Sequence, residues 1–296
     1  MLLCLLIRSV YVEHKSSSNS FTTDNSWTIL SSIERTIRSK IEDVGLPLSQ
    51  WNLHIYRGIL TGYNDAFIIS TEKKDALIAA DPKSAEIIRP ILRGRDIKRY
   101  SYSFADLWLI ATFPSRHYNI DNYPAIKNHL LSYGKERLEQ TGRKYIVNGV
   151  EIKARKKTNN KWFETQDSIS YWNDFFKQKI VYREISDAMN ACIVEPGIML
   201  NNKCYLVTGK HLIYIISYLN SKLFTKIVLP KANVTGGKGE GFLNEIKLIE
   251  PSPETESMFI NLYKRRENGA DVDIKVDNLF CSLYGLTSDE IRYVLE

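Results

Sequence analysis

The sequence predicts an α+β fold built from mixed, irregular sheets with helical spacers. Three observations lead there. Strand-like apolar runs recur within residues 54–69, 106–112, 179–185, 191–195 and 204–208; helix-period stripes stand singly between them; and no internal repeat imposes a regular strand–helix alternation.

Taken in chain order, the start Met1-Leu2-Leu3-Cys4-Leu5-Leu6-Ile7 is apolar but lacks a basic leader and a small-residue cleavage site. It is also far shorter than the roughly 20 residues that span a bilayer, so residues 1–14 read as a buried strand. Residues 15–25 are rich in Ser, Thr and Asn and read as a linker. A helix follows, capped by Asn25 or Ser26, with Ile29, Ile33, Ile37 and Ile41 recurring every four residues. Gly45, as a left-handed cap, and Pro47 stop it. Two apolar runs then flank Thr61-Gly62-Tyr63-Asn64-Asp65, which predicts a hairpin-like strand-turn-strand over 54–69. A strand at 106–112 closes at Pro114, and Asn122-Tyr123-Pro124 opens a helix carrying Ile126, Leu130, Tyr133 and Leu138.

Residues 142–161 are polar and basic, and read as an exposed loop between two subdomains. Strands resume at 179–185, 191–195 and 204–208, before the most apolar helix, over 211–228. Residues 231–241 hold four glycines, too many for a rigid element on its own. Pro251 and Pro253 precede a C-terminal helical region. The boundaries that follow are 1–14, 15–25, 26–142, 143–250 and 251–296.

Composition narrows the class without fixing a partner. With 296 residues and 44% hydrophobic content the chain can bury a full core, and 25% charged residues argue against disorder. Lys+Arg 40 against Asp+Glu 34 leaves only +6, so distribution is more informative than the sum. Between Arg143 and Lys161 stand seven basic residues (Arg143, Lys144, Lys153, Arg155, Lys156, Lys157, Lys161) against one acid, Glu151. Cys4, Cys192, Cys204 and Cys281 are scattered with no CxxC pair, which points away from a zinc site or disulfide framework and toward reduced thiols in a cytoplasm.

Two strings carry the strongest signal. Leu60-Thr61-Gly62-Tyr63-Asn64-Asp65-Ala66-Phe67-Ile68-Ile69 and Leu92-Arg93-Gly94-Arg95-Asp96-Ile97-Lys98-Arg99-Tyr100 each set a turn cluster between apolar runs, displaying polar side chains on a fixed frame. They are followed by Leu107-Trp108-Leu109-Ile110, Tyr123-Pro124-Ala125-Ile126-Lys127-Asn128-His129-Leu130, Lys179-Ile180-Val181-Tyr182, Leu219-Asn220-Ser221-Lys222-Leu223 and Leu283-Tyr284-Gly285-Leu286-Thr287. In this order and spacing the set resembles the TaqI-like C-terminal specificity domain. That domain is the target-reading half of adenine-specific DNA methyltransferases and of single-chain type IIG restriction-modification enzymes. The resemblance runs from about residue 25 to the end.

The resemblance implies a two-part DNA-reading module, with an upstream methyltransferase domain or subunit that binds S-adenosylmethionine, and residues 1–14 as the last strand of that domain's sheet. No such chemistry is encoded in this chain. An adenine methyltransferase needs an Asn/Asp-Pro-Pro-aromatic loop, and no Pro-Pro pair occurs. Gly236, Gly237, Gly239 and Gly241 follow Pro230 and Lys231 instead of a strand that opens into a helix, which makes a poor cofactor cradle. Glu151-Ile152-Lys153 and Glu245-Ile246-Lys247 match a nuclease tripeptide without an upstream Pro-Asp, and no His pairs with a Ser or Cys nucleophile. The expectation is a chain without catalytic or metal-binding residues and without a membrane partner.

DNA reading needs cations for phosphates and planar hydrogen-bonding side chains for base edges. The first candidates are Thr61, Tyr63 and Asn64, with Arg93, Arg95, Lys98 and Arg99 around Gly94 and Asp96. That second turn either presents an Arg fork to guanine or phosphate, or is a scaffold in which Asp96 ties down Arg95 or Arg99. The basic loop offers Arg155, Lys156, Lys157, Asn159, Asn160 and Lys161 as a phosphate clamp, with a solvated surface loop as the alternative. Lys203, Lys231, Asn233 and Lys238 form a third set, where contact and disorder both remain open. Tyr171, Trp172, Phe175 and Phe176 read as core. The competing reading of the whole chain is an interaction subunit whose apolar helix over 212–224 docks on a separate methyltransferase chain, with little DNA affinity of its own.

Overall fold

The computed structural model of the chain describes residues 30–184, 188–234 and 238–296. The strand and linker expected at 1–14 and 15–25 lie outside them. The first helix, α1 (Ser32–Val44), is capped by Ser31: its hydroxyl accepts from the Glu34 amide, and the Glu34 carboxylate accepts from the Ser31 amide at 2.7 Å. The cap is therefore Ser31, and Asn25 and Ser26 lie outside the described residues. Ile37 and Ile41 are its buried positions. Gly45 ends the helix at φ −81°, in extended and not left-handed backbone. Glycine is needed there for close approach, because a Cβ would stand 2.8 Å from the Ile41 carbonyl oxygen.

The chain divides into two compact units, Asn52–Leu212 and a second made of Met1–Trp51 with Ile213–Glu296. The seam expected at 142/143 falls inside Asn52–Leu212, because the segment after it hydrogen-bonds back to residues before it. In chain order this unit contains β1 (Leu53–Arg57), α2 (Asn64–Phe67), β2 (Ile68–Ser70), α3 (Thr71–Ala80), β3 (Ile88–Leu92) and β4 (Leu107–Ile110). Then come α4 (Pro124–Leu131), α5 (Lys135–Leu138), β5 (Lys144–Val147), β6 (Val150–Lys153), β7 (Lys179–Arg183), β8 (Ala191–Val194), β9 (Met199–Leu200) and β10 (Cys204–Gly209).

One sheet is antiparallel in the order β8-β7-β10-β1, with Tyr182 opposite Tyr205 and Val207 opposite Ile55. The other is mixed, in the order β9-β3-β4-β2; β9 and β3 run parallel, and the remaining pairs run antiparallel. β7 reads Lys-Ile-Val-Tyr-Arg, a near-continuous apolar run, and Ile180, Val181 and Tyr182 are buried on both faces. The expected hairpin over 54–69 does not form. β1 and β2 belong to different sheets, and α2 stands between them. Phe67, Ile91, Leu92, Leu109, Ile110 and Leu206 lie in the shared core. Cys192 and Cys204 are buried in the antiparallel sheet.

In the other unit, α6 (Leu212–Leu219) is shorter than the helix expected over 211–228. Asn220-Ser221 breaks it: the Ser221 hydroxyl donates to the Tyr218 carbonyl at 2.7 Å and accepts from the Phe224 amide at 3.0 Å, restarting the chain as a wider turn at Phe224–Val228. Three helices close the unit, α7 (Pro253–Glu267), α8 (Asp273–Leu283) and α9 (Ser288–Leu295). Tyr214 and Tyr218 pack on Phe259 and Phe280, with Phe259 and Phe280 ring centroids 4.6 Å apart. α1 joins this unit through Lys40, whose ammonium is 2.6 Å from the Glu290 carboxylate. Cys281 is buried in α8. No single described helix is long and apolar enough to cross a membrane.

Candidate nucleic-acid interface

The basic loop and the turn before α2 are physically joined, and the joint is Arg155. Its side chain is only 4% exposed and is ringed by carbonyls. Nε donates to Leu138 at 2.8 Å, Nη1 to Thr61 and Glu164 at 2.8 Å, and Nη2 to Trp162 at 2.7 Å. Burial pushes the guanidinium down to about 10, which leaves it charged at neutral pH. Arg155 is thus withdrawn from the candidate DNA contacts, since four backbone acceptors use its donors inside the fold.

Thr61 is withdrawn for the same reason. It is buried, its hydroxyl donates to the Asn64 side chain at 2.7 Å, and its carbonyl receives Arg155. Leu60 adds further ties: its amide donates to the Asp167 carboxylate at 2.9 Å, while its carbonyl accepts from the Gln166 and Asp167 amides. Burial raises the Asp167 pKa from its ordinary value. Gly62 stands at φ +80°, with the Gln166 side chain where a Cβ would go. Tyr63 is half-buried against the edge of Tyr133 with Arg137 over its ring, while Asn64 is exposed at the start of α2.

After Arg155 the loop turns outward. Lys156, Lys157, Asn159 and Lys161 are exposed, whereas the Asn160 amide donates to the Thr165 and Gln166 carbonyls and so holds the loop's shape. Gln140 shapes the loop from below, accepting from the Thr158 hydroxyl at 2.7 Å. Lys161 and Trp162 also border an open cleft of about 550 Å³, shared with His117, Tyr118, Lys127 and Lys135. Those residues come from three separate stretches of sequence, so composition along the chain gave no sign of the cleft.

The second turn is a scaffold with cations projecting from it. Asp96 is buried and accepts from the Arg93 amide at 2.8 Å and from the Arg93 guanidinium at 2.9 and 3.0 Å. This hydrogen-bonded pairing raises the Arg93 pKa and removes Arg93 from the surface set; Asp96 holds Arg93, not Arg95 or Arg99 as expected. The chain then makes a tight ribbon of Ile97–Lys98 with Ser101–Tyr102, turning through Arg99 and Tyr100, the latter at φ 60°. The Tyr100 amide ties this ribbon to the sheet by donating to the Ala191 carbonyl at 2.8 Å, and Arg95, Lys98 and Arg99 are exposed on it, with the Arg99 guanidinium 4.8 Å from the Tyr100 ring. Lys203 belongs to the same patch, because its Cβ lies 3.2 Å from the place a Cβ would occupy at Gly94.

The third set is divided between the two units. Lys203 is in Asn52–Leu212, while Lys231 is in the other unit and faces the Glu245 carboxylate at 3.1 Å. Lys238 is buried, so it is corrected from a surface contact to an interior residue, and the Asn233 side chain lies outside the described residues. Gly239 and Gly241 open the helix Glu240–Glu245, but the element before it is the helix Pro230–Val234 and not a strand. The described residues there do not fit S-adenosylmethionine, which is cradled at a strand-to-helix turn. Glu151 is tied to Lys144 at 2.9 Å on an exposed hairpin, and Glu245 to Lys231, so among the described residues neither nuclease-like tripeptide stands in a carboxylate cluster.

Exposed cations thus stand on two turns of an α+β module built from mixed sheets with helical spacers. Residues 89–235 match the family described as the TaqI-like C-terminal specificity domain. No curated protein matches the chain. Among solved structures, it is similar to the type IIL restriction-modification enzyme MmeI in complex with DNA, at TM-score 0.51 and 15% identity over 84% of this chain and 35% of that one. It is likewise similar to the type IIG restriction endonuclease BpuSI, at TM-score 0.51 and 13% identity over 89% of this chain and 32% of that one. The chain thus spans about a third of the length of these structural relatives.

Proposed function

We propose that the chain recognises a target sequence in duplex DNA, as the C-terminal specificity part of an adenine-specific DNA methyltransferase or type IIG restriction-modification enzyme. The observation that carries this reading is the pairing of fixed frame and exposed cation: Arg155 and Arg93 are consumed in building two turns that carry exposed Lys156, Lys157, Arg95 and Lys98, with exposed Lys203 beside the second turn. Phosphate contacts need the projecting set, and sequence choice needs the frame to be rigid. The specificity-domain match and the two restriction-modification neighbours support the same role.

On this reading, S-adenosylmethionine is bound by a methyltransferase domain or subunit upstream, and this chain supplies affinity and register. Its setting is cytoplasmic, consistent with free, buried Cys192, Cys204 and Cys281. The rival in which an apolar helix over 212–224 docks on another chain loses its surface: Tyr214, Ile215, Ile216, Leu219, Leu223 and Phe224 are all buried within this chain. The test is electrophoretic retardation of a randomised duplex pool at low salt, with selection of the retained sequences. Enrichment of a defined sequence is expected; failure to retain any duplex, alone or with the upstream methyltransferase, overturns the proposal.

A further inference from the structure

The ribbon β5–β6 differs from the rest of its unit in one respect: its far end stands clear of the other described residues. Asn148 and Gly149 form its two-residue turn at φ 50° and 77°, the backbone that lets two right-twisted strands reverse tightly. No atom lies within 4 Å of the place a Cβ would take at Gly149. The root, by contrast, is fixed. The Ala154 amide donates to the Arg143 carbonyl at 2.9 Å, the Gly142 amide to Arg155 at 2.8 Å, and the Arg155 amide to Glu139 at 3.0 Å. With about 3.4 Å per residue, the ribbon reaches roughly 15–20 Å from the Arg155 anchor.

The pairing Lys144↔Lys153, Tyr145↔Ile152, Ile146↔Glu151 and Val147↔Val150 sets the faces. At the tip, Ile146 is 72% and Val150 63% exposed, one on each face, and Ile146 is the most exposed large apolar side chain among the described residues. Behind them stand exposed Arg143, Lys144 and Lys153, with Glu151 as the one acid and that acid tied to Lys144. Exposed apolar side chains at a tip flanked by cations suit a partner that is anionic and also carries apolar marks. The DNA major groove combines both: it admits a two-stranded ribbon, displays the thymine 5-methyl group on its floor, and is walled by phosphates.

We propose that the tip of β5–β6 enters the major groove, with Ile146 or Val150, whichever face of the ribbon turns to the floor, against a thymine methyl group, and Arg143, Lys144 and Lys153 neutralising the phosphates alongside. This rests on the DNA-recognition reading above and adds to it the element and the base feature that are read. Neither Ile146 nor Val150 supports the core, so both are removable without unfolding the unit.

The test uses the full chain and the duplex selected by it. Each thymine is replaced in turn by uracil, which removes only the 5-methyl group. One or two positions should then bind about 3- to 5-fold more weakly, the effect of one buried methyl. In an Ile146→Ala, Val150→Ala variant with an unchanged thermal midpoint, thymine and uracil at those positions should bind equally. The proposal is overturned if uracil is tolerated everywhere by the unaltered chain, or if the variant keeps the same sensitivity. It is also overturned if the two substitutions abolish self-association of the chain while leaving duplex affinity untouched, since the tip would then be a protein contact. A chain that selects no duplex at all overturns the DNA reading itself, and is told apart by the absence of any retained sequence.

Discussion

Arg155 and Thr61, 94 positions apart in the chain, are joined by a 2.8 Å hydrogen bond from guanidinium to carbonyl. The bond makes the root of the β5–β6 ribbon and the turn before α2 into one rigid body. It also separates neighbouring basic residues that look alike in sequence. Arg155→Gln should leave buried carbonyls of Leu138, Thr61, Glu164 and Trp162 short of donors and lower stability by roughly 2–4 kcal/mol, read as a fall in the urea midpoint. Lys156→Ala, at an exposed position, should alter stability in the same titration by less than about 0.5 kcal/mol.

The same contrast governs binding. Replacing both Lys156 and Lys157 with alanine should weaken all duplexes alike and reduce the slope of log affinity against log salt by about 2, near one counterion for each phosphate no longer neutralised. A filter-binding titration at several salt concentrations measures it, and an unchanged slope removes these two lysines from the interface.

Arg95 is exposed on the turn that Asp96 and Arg93 hold rigid. Arg95→Ala should relax preference at one base pair of the selected sequence, at about 1–3 kcal/mol if its fork reads a base edge. Competition between the selected duplex and single-base variants checks this; uniform loss across all variants assigns Arg95 to a phosphate instead.

Gly58 tests how the end of β1 seats. A Cβ there would stand 2.1 Å from the Asn201 carbonyl oxygen, a backbone atom beside the Ile59↔Asn201 bridge. Gly58→Ala should cost about 1–3 kcal/mol or more by over-packing, seen as a lower thermal midpoint. An unshifted midpoint would contradict the close approach.

Lys179 supplies a pH dependence. Its buried ammonium donates to the Phe175 carbonyl at 2.9 Å and the Glu195 carbonyl at 2.7 Å, and burial lowers its pKa to about 8. Between about pH 8 and the ordinary lysine value near 10.4, the unfolded chain holds this proton more tightly than the fold does. The lysine therefore contributes stability that rises as pH climbs through this window and is flat below it. Lys179→Met should abolish this rise, so the stability of the native chain minus that of the variant should increase from about pH 8 to about pH 10. Parallel curves in chemical denaturation would show that the proton is not released.

Much of the architecture was legible from pattern alone. The apolar runs of β4, β7, β8 and β10 fell where strands form, and Ile37 with Ile41 marked the buried stripe of α1. Strand partners were not legible: β1 and β2 flank a Gly-containing turn as a hairpin would, yet each pairs across long sequence separations, with β10 and β4. Local propensity carries no information on such pairings. At the interface, residue type separated cations from other residues but not buried cations from exposed ones. Arg93, Arg155 and Lys238 look like Arg95, Lys156 and Lys157 until their carbonyl and carboxylate neighbours, or their burial, are known. The β5–β6 ribbon did carry a local sign, Asn148-Gly149 between β-prone stretches, but its basic composition made it read as a loop.

The three buried sulfhydryls also make the chain its own stopwatch for opening. Cys192 and Cys204 sit in the antiparallel sheet and Cys281 in α8; burial pushes Cys192 up to about 12, Cys204 higher still, and Cys281 up to about 11. Only a thiolate attacks an alkylating reagent, so each remains inert until its surroundings part. Pulsed alkylation followed by peptide mass mapping would consequently time the loosening of each unit separately, without adding a label to either.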